Sequence, residues 1–398
     1  MKKNFYEKAV KLVAIVLALS ILTVIPVKAE SVEQRGTHPE GAIETVAFDV
    51  DCKSLILIEA NTNTVLYEKN ADEPLSPASV TKVMTLLLVM EAIENGKIEY
   101  SDIVRVSKNA ASMGGSQIYL KENEEMSVED LLKSVIIASA NDAAVALAEH
   151  ICGSEEAFVE QMNQRAEELE MTNTHFENTN GLDDTVENHV ISARDIAIMS
   201  RELIKYPKIT EYSSIWMDSI RNGSFGLTNT NRLIRFYKGA TGLKTGSTDK
   251  AGFCISATAE RDGMSLICVV MGAETKDERN AIATKLLDYG FNNFRMFSDD
   301  GKKIDSIPVL RGNKASFSAE YPPIKMVVPK ETGKISAGVS IQERIEAPIN
   351  KGDIIGVVSY SNGKEEICQV DIIASETIKK CGFFDLFGEF LRKCAEIL

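Results

Sequence analysis

Apolar residues are spaced in several different ways along this chain, and each spacing predicts a different kind of element. Leu12 to Val27 is an unbroken run without charge. Lys2, Lys3, Lys8 and Lys11 precede it, and Val27-Lys28-Ala29 closes it. That layout predicts an export signal over residues 1–29, cleaved after Ala29. The rival is a retained anchor, for which the run is somewhat short against the roughly 20 residues of a membrane span. Residues 30–50 are polar and read as a flexible segment. Residues 54–58 and 64–67, on either side of Asn61-Thr62-Asn63, have the pattern of a hairpin. From Ser79 onward, Val80, Val83, Met84, Leu86, Leu87, Leu88, Met90 and Ile93 are apolar nearly all round a helix, which therefore belongs in the centre of a core.

Helical spacing returns over 128–138, 142–151, 155–170 and 192–206, with Ser192 and Asp195 suited to the last helix's first turn. Strand-like runs follow at 242–245, 252–260 and 264–272, then a helix over 278–289. Strands, many helices, then strands predict an α+β body over 51–296, with one antiparallel sheet and segregated helices. Residues 297–375 alternate short β-rich runs with Pro, Gly and Asn turns, which predicts a small all-β module. Residues 376–398 form the last segment. Wound as a helix from Phe383, they place Phe, Leu and Ile on one half and Asp385, Glu389, Arg392, Lys393 and Glu396 on the other. A terminal amphipathic helix of this kind suits a membrane surface, the alternative being a helix docked on protein.

Charge and cysteines narrow the picture. The 398 residues carry a formal net charge of −14, so nothing would neutralise phosphates and nucleic acid is excluded as a partner. Cys52, Cys152, Cys254, Cys268, Cys368, Cys381 and Cys394 show no metal spacing, and no cofactor is called for. A two-residue turn at Asp262-Gly263 would set Cys254 opposite Met271 and send the sulfurs of Cys254 and Cys268 to opposite faces of a sheet. Scattered small apolar residues describe these cysteines better than a disulfide framework.

Three short motifs carry the chemistry. Ser79-Val80-Thr81-Lys82 is a Ser-x-x-Lys at the head of the apolar helix, where a spacing of three sets both side chains on one face. Ser247-Lys250 and Ser361-Lys364 have the same spacing, but one follows a strand and the other sits in an Asn-Gly turn. A serine hydroxyl needs a base to become a nucleophile, and Lys82 can act as one only when neutral. Burial and a second cation, for which Lys244 is the candidate, both favour that form. Ser139-Ala140-Asn141 lies at a helix–helix corner; Ser139 is placed to relay a proton from Lys82 to the departing amine, and Asn141 to bond a substrate amide. Ser107-Lys108-Asn109 is a decoy after a strand. Lys244-Thr245-Gly246 reads as a strand in which alternation sends Lys244 and Gly246 to one face and Thr245 to the other. Lys244 and Thr245 would hold a carboxylate, Gly246 would let a ligand lie against the backbone, and the N–H groups of Ser247 and Ser79 would form an oxyanion hole.

With these motifs in this order, the chain resembles the low-molecular-weight serine D-alanyl-D-alanine carboxypeptidases of peptidase family S11. Asn178-Thr179-Asn180-Gly181-Leu182, His189 with Ala193-Arg194-Asp195, and Val269-Val270-Met271-Gly272 are also similar to that family. The resemblance implies a penicillin-binding fold, acylation at Ser79, removal of the terminal D-alanine from peptidoglycan stem peptides, and trapping by β-lactams. It also implies an accessory β domain and a membrane anchor on the outer face of the cytoplasmic membrane. Arg279 matches a basic position near the substrate's terminal carboxylate. Ser247 stands where some relatives have histidine. A transpeptidase, a β-lactamase and an inactive scaffold of the same fold are the alternatives. The class A β-lactamases need a deacylating glutamate for which no suitable setting follows Ser139, and three intact motifs disfavour a scaffold.

Overall fold

The computed structural model describes residues 50–184, 186–382 and 387–388. The predicted export signal, nearly all of the predicted flexible segment and most of the terminal amphipathic helix lie outside the described residues. Among the described residues no helix is long and apolar enough to cross a membrane. None of their groups of His, Cys, Asp or Glu is placed to hold a metal.

In chain order the elements begin with strands β1 (Ser54–Glu59) and β2 (Thr64–Lys69). A 3-10 turn, Ala78–Thr81, then leads into helix α1 (Lys82–Glu94). Next come β3 (Ile103–Arg105), α2 (Lys108–Ala111), β4 (Glu125–Ser127), α3 (Val128–Ile137), α4 (Asn141–Cys152), α5 (Glu155–Glu168), α6 (Ala193–Leu203) and α7 (Pro207–Ser213). The hairpin β5 (Met217–Ile220) and β6 (Phe225–Thr228), with α8 (Leu233–Phe236), leads to β7 (Ala240–Thr248), β8 (Gly252–Arg261), β9 (Met264–Ala273) and α9 (Lys276–Asn293).

β2, β1, β9, β8 and β7 form one five-stranded sheet in that order, with every neighbouring pair antiparallel. The first hairpin and the last three strands of this region, far apart in sequence, thus share one sheet. Its strands alternate strictly. Ile56, Ile58, Ile267, Val269 and Met271 face α1, α3, α4 and α6, while Leu55, Leu57, Leu266, Cys268 and Val270 face α9. Cys254 and Cys268 accordingly lie in different cores, as the hairpin arithmetic predicts. Arg261 pairs with Met264 across the two-residue turn, though a bulge interrupts the ladder beside Cys254. The cysteines among the described residues are all free. α1 is buried on every side, which its apolar circumference requires. Ser192 caps α6 by accepting the Asp195 N–H at 3.1 Å.

Beyond α9 the chain is all strand: β10 (Phe294–Asp299), β11 (Lys302–Pro308), β12 (Ser316–Tyr321), β13 (Ile324–Pro329), β14 (Ser336–Ile341), β15 (Ile354–Ser361) and β16 (Glu366–Ala374). β10 pairs with β13, and β11-β12-β16-β15-β14 make a second five-stranded antiparallel sheet over its own core. The three motifs singled out in the sequence all lie on the first sheet, its helices and the turns that join them.

Candidate active site

Ser79 sits in a tight turn rather than in the helix itself. The sequence places it at the head of a helix, yet the α-helix begins only at Lys82. Ala78, whose φ of +48° is left-handed, bars the right-handed winding from extending further back than Ser79. The strained turn is clamped from several sides. The Thr81 hydroxyl donates to the Ala78 carbonyl at 2.8 Å. Gly181, itself at φ +81°, presses on the same carbonyl, and a β-carbon there would overlap it. His189 lies behind. Its Nδ1 accepts the Glu177 N–H at 3.0 Å, so Nε2 carries the proton and donates to Thr81 at 2.7 Å. Burial lowers the imidazole to about 4, which keeps this neutral tautomer at ordinary pH.

Lys82 is completely buried, and its Nζ meets three oxygens: Ser79 Oγ at 2.8 Å, Asn141 Oδ1 at 2.6 Å and the Asn180 carbonyl at 2.7 Å. Burial holds its ammonium form far below the ordinary lysine range, and the nearby charge of Lys244 pushes the same way, against a smaller pull from Asp142. As an ammonium, Lys82 donates to all three oxygens. As a neutral amine it has two N–H bonds and one lone pair. The two carbonyl oxygens can only accept, so they take the hydrogens. The lone pair is left facing the Ser79 hydroxyl, which then becomes the donor. This is the arrangement of a nucleophile with its base.

Ser139 stands at the corner between α3 and α4 with φ +62°. Its Oγ accepts from Lys244 Nζ at 2.7 Å, and Lys244 also donates to the Thr245 carbonyl at 2.9 Å. Here the structure differs from the relay read from sequence: the hydrogen bond Ser139 makes is with Lys244, not with Lys82. Asn141 also serves the framework: its Oδ1 accepts from Lys82, and one of its two Nδ2 hydrogens goes to the Gly114 carbonyl at 2.7 Å. Asp142 next to it accepts the N–H groups of Ile118 and Leu120, pinning the wall that carries Ser116. Lys244 is 1% exposed, and burial followed by the Arg279 charge brings it down to about 7.

β7 is the edge strand of its sheet, and the active-site cavity lies along that edge. Alternation is kept: Gly246 faces the nucleophile turn, where a β-carbon would come within 2.8 Å of both Pro77 O and Ser79 N. Thr245 faces the other way and donates to Thr230 Oγ1 at 2.8 Å. An edge strand borders the cleft with both faces, so Thr245 still lines it. The cavity of about 140 Å³ brings together Ser79, Ser139, Thr245, Gly246, Ser247 and Arg279 from the predicted set, with Ser116, Thr230, Phe253 and Lys276 in addition. No carboxylate lines it. Arg279, 3% exposed and lowered to about 10 by burial, shares one end with Lys276. Two cations and no acid on the lining suit an anion. A larger hollow of about 560 Å³ between α8 and α9, lined by Phe236, Asn280 and Thr284 among others, contains none of the motif residues.

The sequence reading had no signal for Thr230, Lys276 or the Asn180 carbonyl. A backbone carbonyl acting as a ligand leaves no trace in residue type. The loop that presents it is nevertheless visible as Asn178-Thr179-Asn180-Gly181-Leu182, in which Asn178 accepts the Gly181 N–H at 2.7 Å and donates to the Leu182 carbonyl at 2.7 Å.

Comparison with known proteins agrees with this geometry. Residues 40–275 match the family described as D-alanyl-D-alanine carboxypeptidase, Peptidase_S11. Residues 291–380 match the C-terminal domain of penicillin-binding protein 5. The chain is 44% identical over 341 residues to D-alanyl-D-alanine carboxypeptidase DacF of Bacillus subtilis (strain 168), covering 84% of this chain and 87% of that one. It is 34% identical to DacC of Escherichia coli (strain K12), with 87% of this chain and 88% of that protein covered. The crystal structure of penicillin-binding protein 5 from Haemophilus influenzae superposes with a TM-score of 0.75 at 32% identity, covering 84% of this chain and 100% of that one.

Proposed function

The chain belongs to the D-alanyl-D-alanine carboxypeptidases of peptidase family S11, and from that membership we propose which of its residues perform the reaction. The enzyme is a serine hydrolase that removes the terminal D-alanine of peptidoglycan pentapeptides. The observation that carries the assignment is Lys82 Nζ, 2.8 Å from Ser79 Oγ and held by two carbonyl oxygens that leave its lone pair for the serine. Neutral Lys82 takes the hydroxyl proton as Ser79 Oγ attacks the carbonyl of the penultimate D-alanine. The N–H groups of Ser79 and Ser247 stabilise the developing oxyanion. Ser139 delivers a proton to the departing amine and is reprotonated by Lys244, to which it is bonded, and D-alanine leaves. Water then cleaves the ester, its proton returning to Lys244 through Ser139 while Lys82 gives its own back to Ser79. Lys244, Thr245 and Arg279 hold the terminal carboxylate, which suits a cavity end lined by cations and no acid. Asn141 positions Lys82, and Gly246 lets β7 pack directly against the turn that carries Ser79, at the wall of the cavity. A β-lactam enters the same cavity and acylates the same oxygen, but leaves an ester that water removes slowly.

Labelling with a fluorescent penicillin and peptide mapping by mass spectrometry tests the assignment. The adduct is expected on Ser79, and Ser79→Ala is expected to lose both labelling and D-alanine release by at least about 1,000-fold. An adduct on Ser139 or Ser247, or retained turnover in the variant, contradicts it. Incubation with a disaccharide pentapeptide separates the alternatives: a joined dimer marks a transpeptidase, and opened β-lactam without D-alanine release marks a β-lactamase.

The division into a signal over 1–29, a flexible segment over 30–50, a catalytic domain over 51–296, a β domain over 297–375 and an anchor over 376–398 belongs to the same proposal. Export is supported by the charged and apolar N-terminus, and surface anchoring by the two-sided C-terminal pattern. Deleting residues 383–398 is expected to move the signal-cleaved enzyme from the membrane fraction to the soluble one with activity intact. Continued sedimentation with membranes would exclude the anchor.

A further inference from the structure

Thr230 lines the cavity beside Thr245, and no motif of the sequence contains it. The fold goes to some length to hold it there. Its N–H donates to the Ile137 carbonyl at the end of α3, at 3.1 Å. The asparagines on either side are buried and fully engaged. Asn229 Nδ2 donates to the carbonyls of Ser213 and Ile215 at 2.9 and 2.8 Å, and its Oδ1 accepts the Asn231 N–H at 2.9 Å. Asn231 Nδ2 donates to the Gly242 carbonyl at 2.7 Å, and its Oδ1 accepts the Leu233 N–H at 3.1 Å. Two buried amides with both ends tied make a rigid cradle, and Thr230 is the residue it presents to the cleft. The contact it makes there is with Thr245, whose hydroxyl donates to Thr230 Oγ1 at 2.8 Å.

This bond poses a problem for carboxylate binding. Resting on the residue roles proposed above, Thr245 has to donate its one hydroxyl proton to the substrate. In the structure that proton is given to Thr230. A hydroxyl can accept and donate and rotates freely about its C–O bond. We infer that Thr230 is a positioning residue for substrate recognition, accepting the Thr245 proton while the cavity is empty and donating to Thr245 Oγ once a carboxylate takes that proton. The reversed pair, Thr230 to Thr245 to carboxylate, runs in one direction. Each hydrogen bond then polarises the next, and the chain ends on an anion. Thr230 need not touch the substrate. It acts through Thr245, and only when the ligand is a pure acceptor.

That last condition supplies a test a merely structural role would not pass. Thr230→Val keeps the shape and removes the hydroxyl; Thr230→Ser keeps the hydroxyl. Each is assayed on a peptide ending in D-Ala-D-Ala and on the same peptide ending in a carboxamide, whose N–H₂ can itself donate to Thr245. For the acid, Thr230→Val is expected to lower kcat/KM by up to about 10-fold, the upper end for one neutral hydrogen bond, with Thr230→Ser within about 3-fold of wild type. For the amide, Thr230→Val and wild type are expected to agree within about 2-fold. An equal loss on both substrates, or a loss that serine does not restore, overturns the inference and leaves Thr230 as scaffold. Ser79→Ala run in the same series keeps the two proposals apart. If that variant still turns over, the assignment of the nucleophile has failed, whereas an inactive Ser79→Ala with substrate-independent Thr230→Val loss refutes the threonine pair alone.

Discussion

The molecule contains two five-stranded antiparallel sheets, and they treat polar groups in opposite ways. The sheet of the catalytic body and the helices on it bury Lys82, Lys244, Arg279, Asp142, Asp195 and His189. Beyond Arg279, no buried charged side chain occurs among the described residues; the core of the second sheet is Ile, Val, Ala, Phe and Tyr. Burying a charge is costly unless it is compensated, and Lys82 and Lys244 have no ion-pair partner among the described residues. They are held by neutral oxygens, in each other's field. The second sheet shows that this chain can build a stable core without such groups. On the proposed function, the buried cations of the first are retained for chemistry, at a cost in stability that the surrounding apolar core offsets.

The comparison can be broken most forcefully at Lys244. Below about pH 7 the folded protein holds a buried ammonium there. Above it the folded state sheds the proton, while the unfolded chain keeps it up to the ordinary 10.5. The unfolded state binds more protons across that window, so this group makes stability rise with pH from about 7 to 10.5. Lys244→Met is expected to lower acylation by at least about 100-fold. It is also expected to raise Tm at neutral pH, with its advantage over wild type shrinking as pH climbs through the window. A variant less stable than wild type at pH 7 would show that the lysine is a structural anchor.

The second region gives the opposite signature. Ile372→Ala, in the fully buried core of the C-terminal sheet, is expected to cost about 2–5 kcal/mol in unfolding experiments and to leave kcat/KM for D-alanine release unchanged. A parallel fall in turnover at temperatures where both proteins are folded would mean that the two sheets are not separable in function.

The legible part of the fold was the part written in periodicity. The all-round apolar run of α1, the strict alternation of β1 and β9 and the change of texture after α9 each follow from where apolar side chains must go. Ser79, Lys82, Ser139 and Lys244 stand out in the sequence by residue type and spacing, and the fold brings them into two bonded pairs. What stayed hidden has physical reasons as well. The left-handed turn at Ala78 is imposed by Gly181, Thr81 and His189, which meet it only in the folded state. The partner of Ser139 could not be chosen between two lysines without their positions. Thr230 owes its place to hydrogen bonds made by its neighbours, so nothing in its own identity announces it.

The central claim is that Lys82 is an uncharged amine facing Ser79. Its most direct test is NMR titration of the full enzyme carrying ¹³Cε-labelled lysine, with the Lys82 resonance assigned by its loss in Lys82→Met. The account predicts a side chain that is already neutral at pH values where an ordinary lysine still holds its proton, because burial and the charge of Lys244 both disfavour the ammonium form. A resonance that stays protonated until about pH 10 would contradict it.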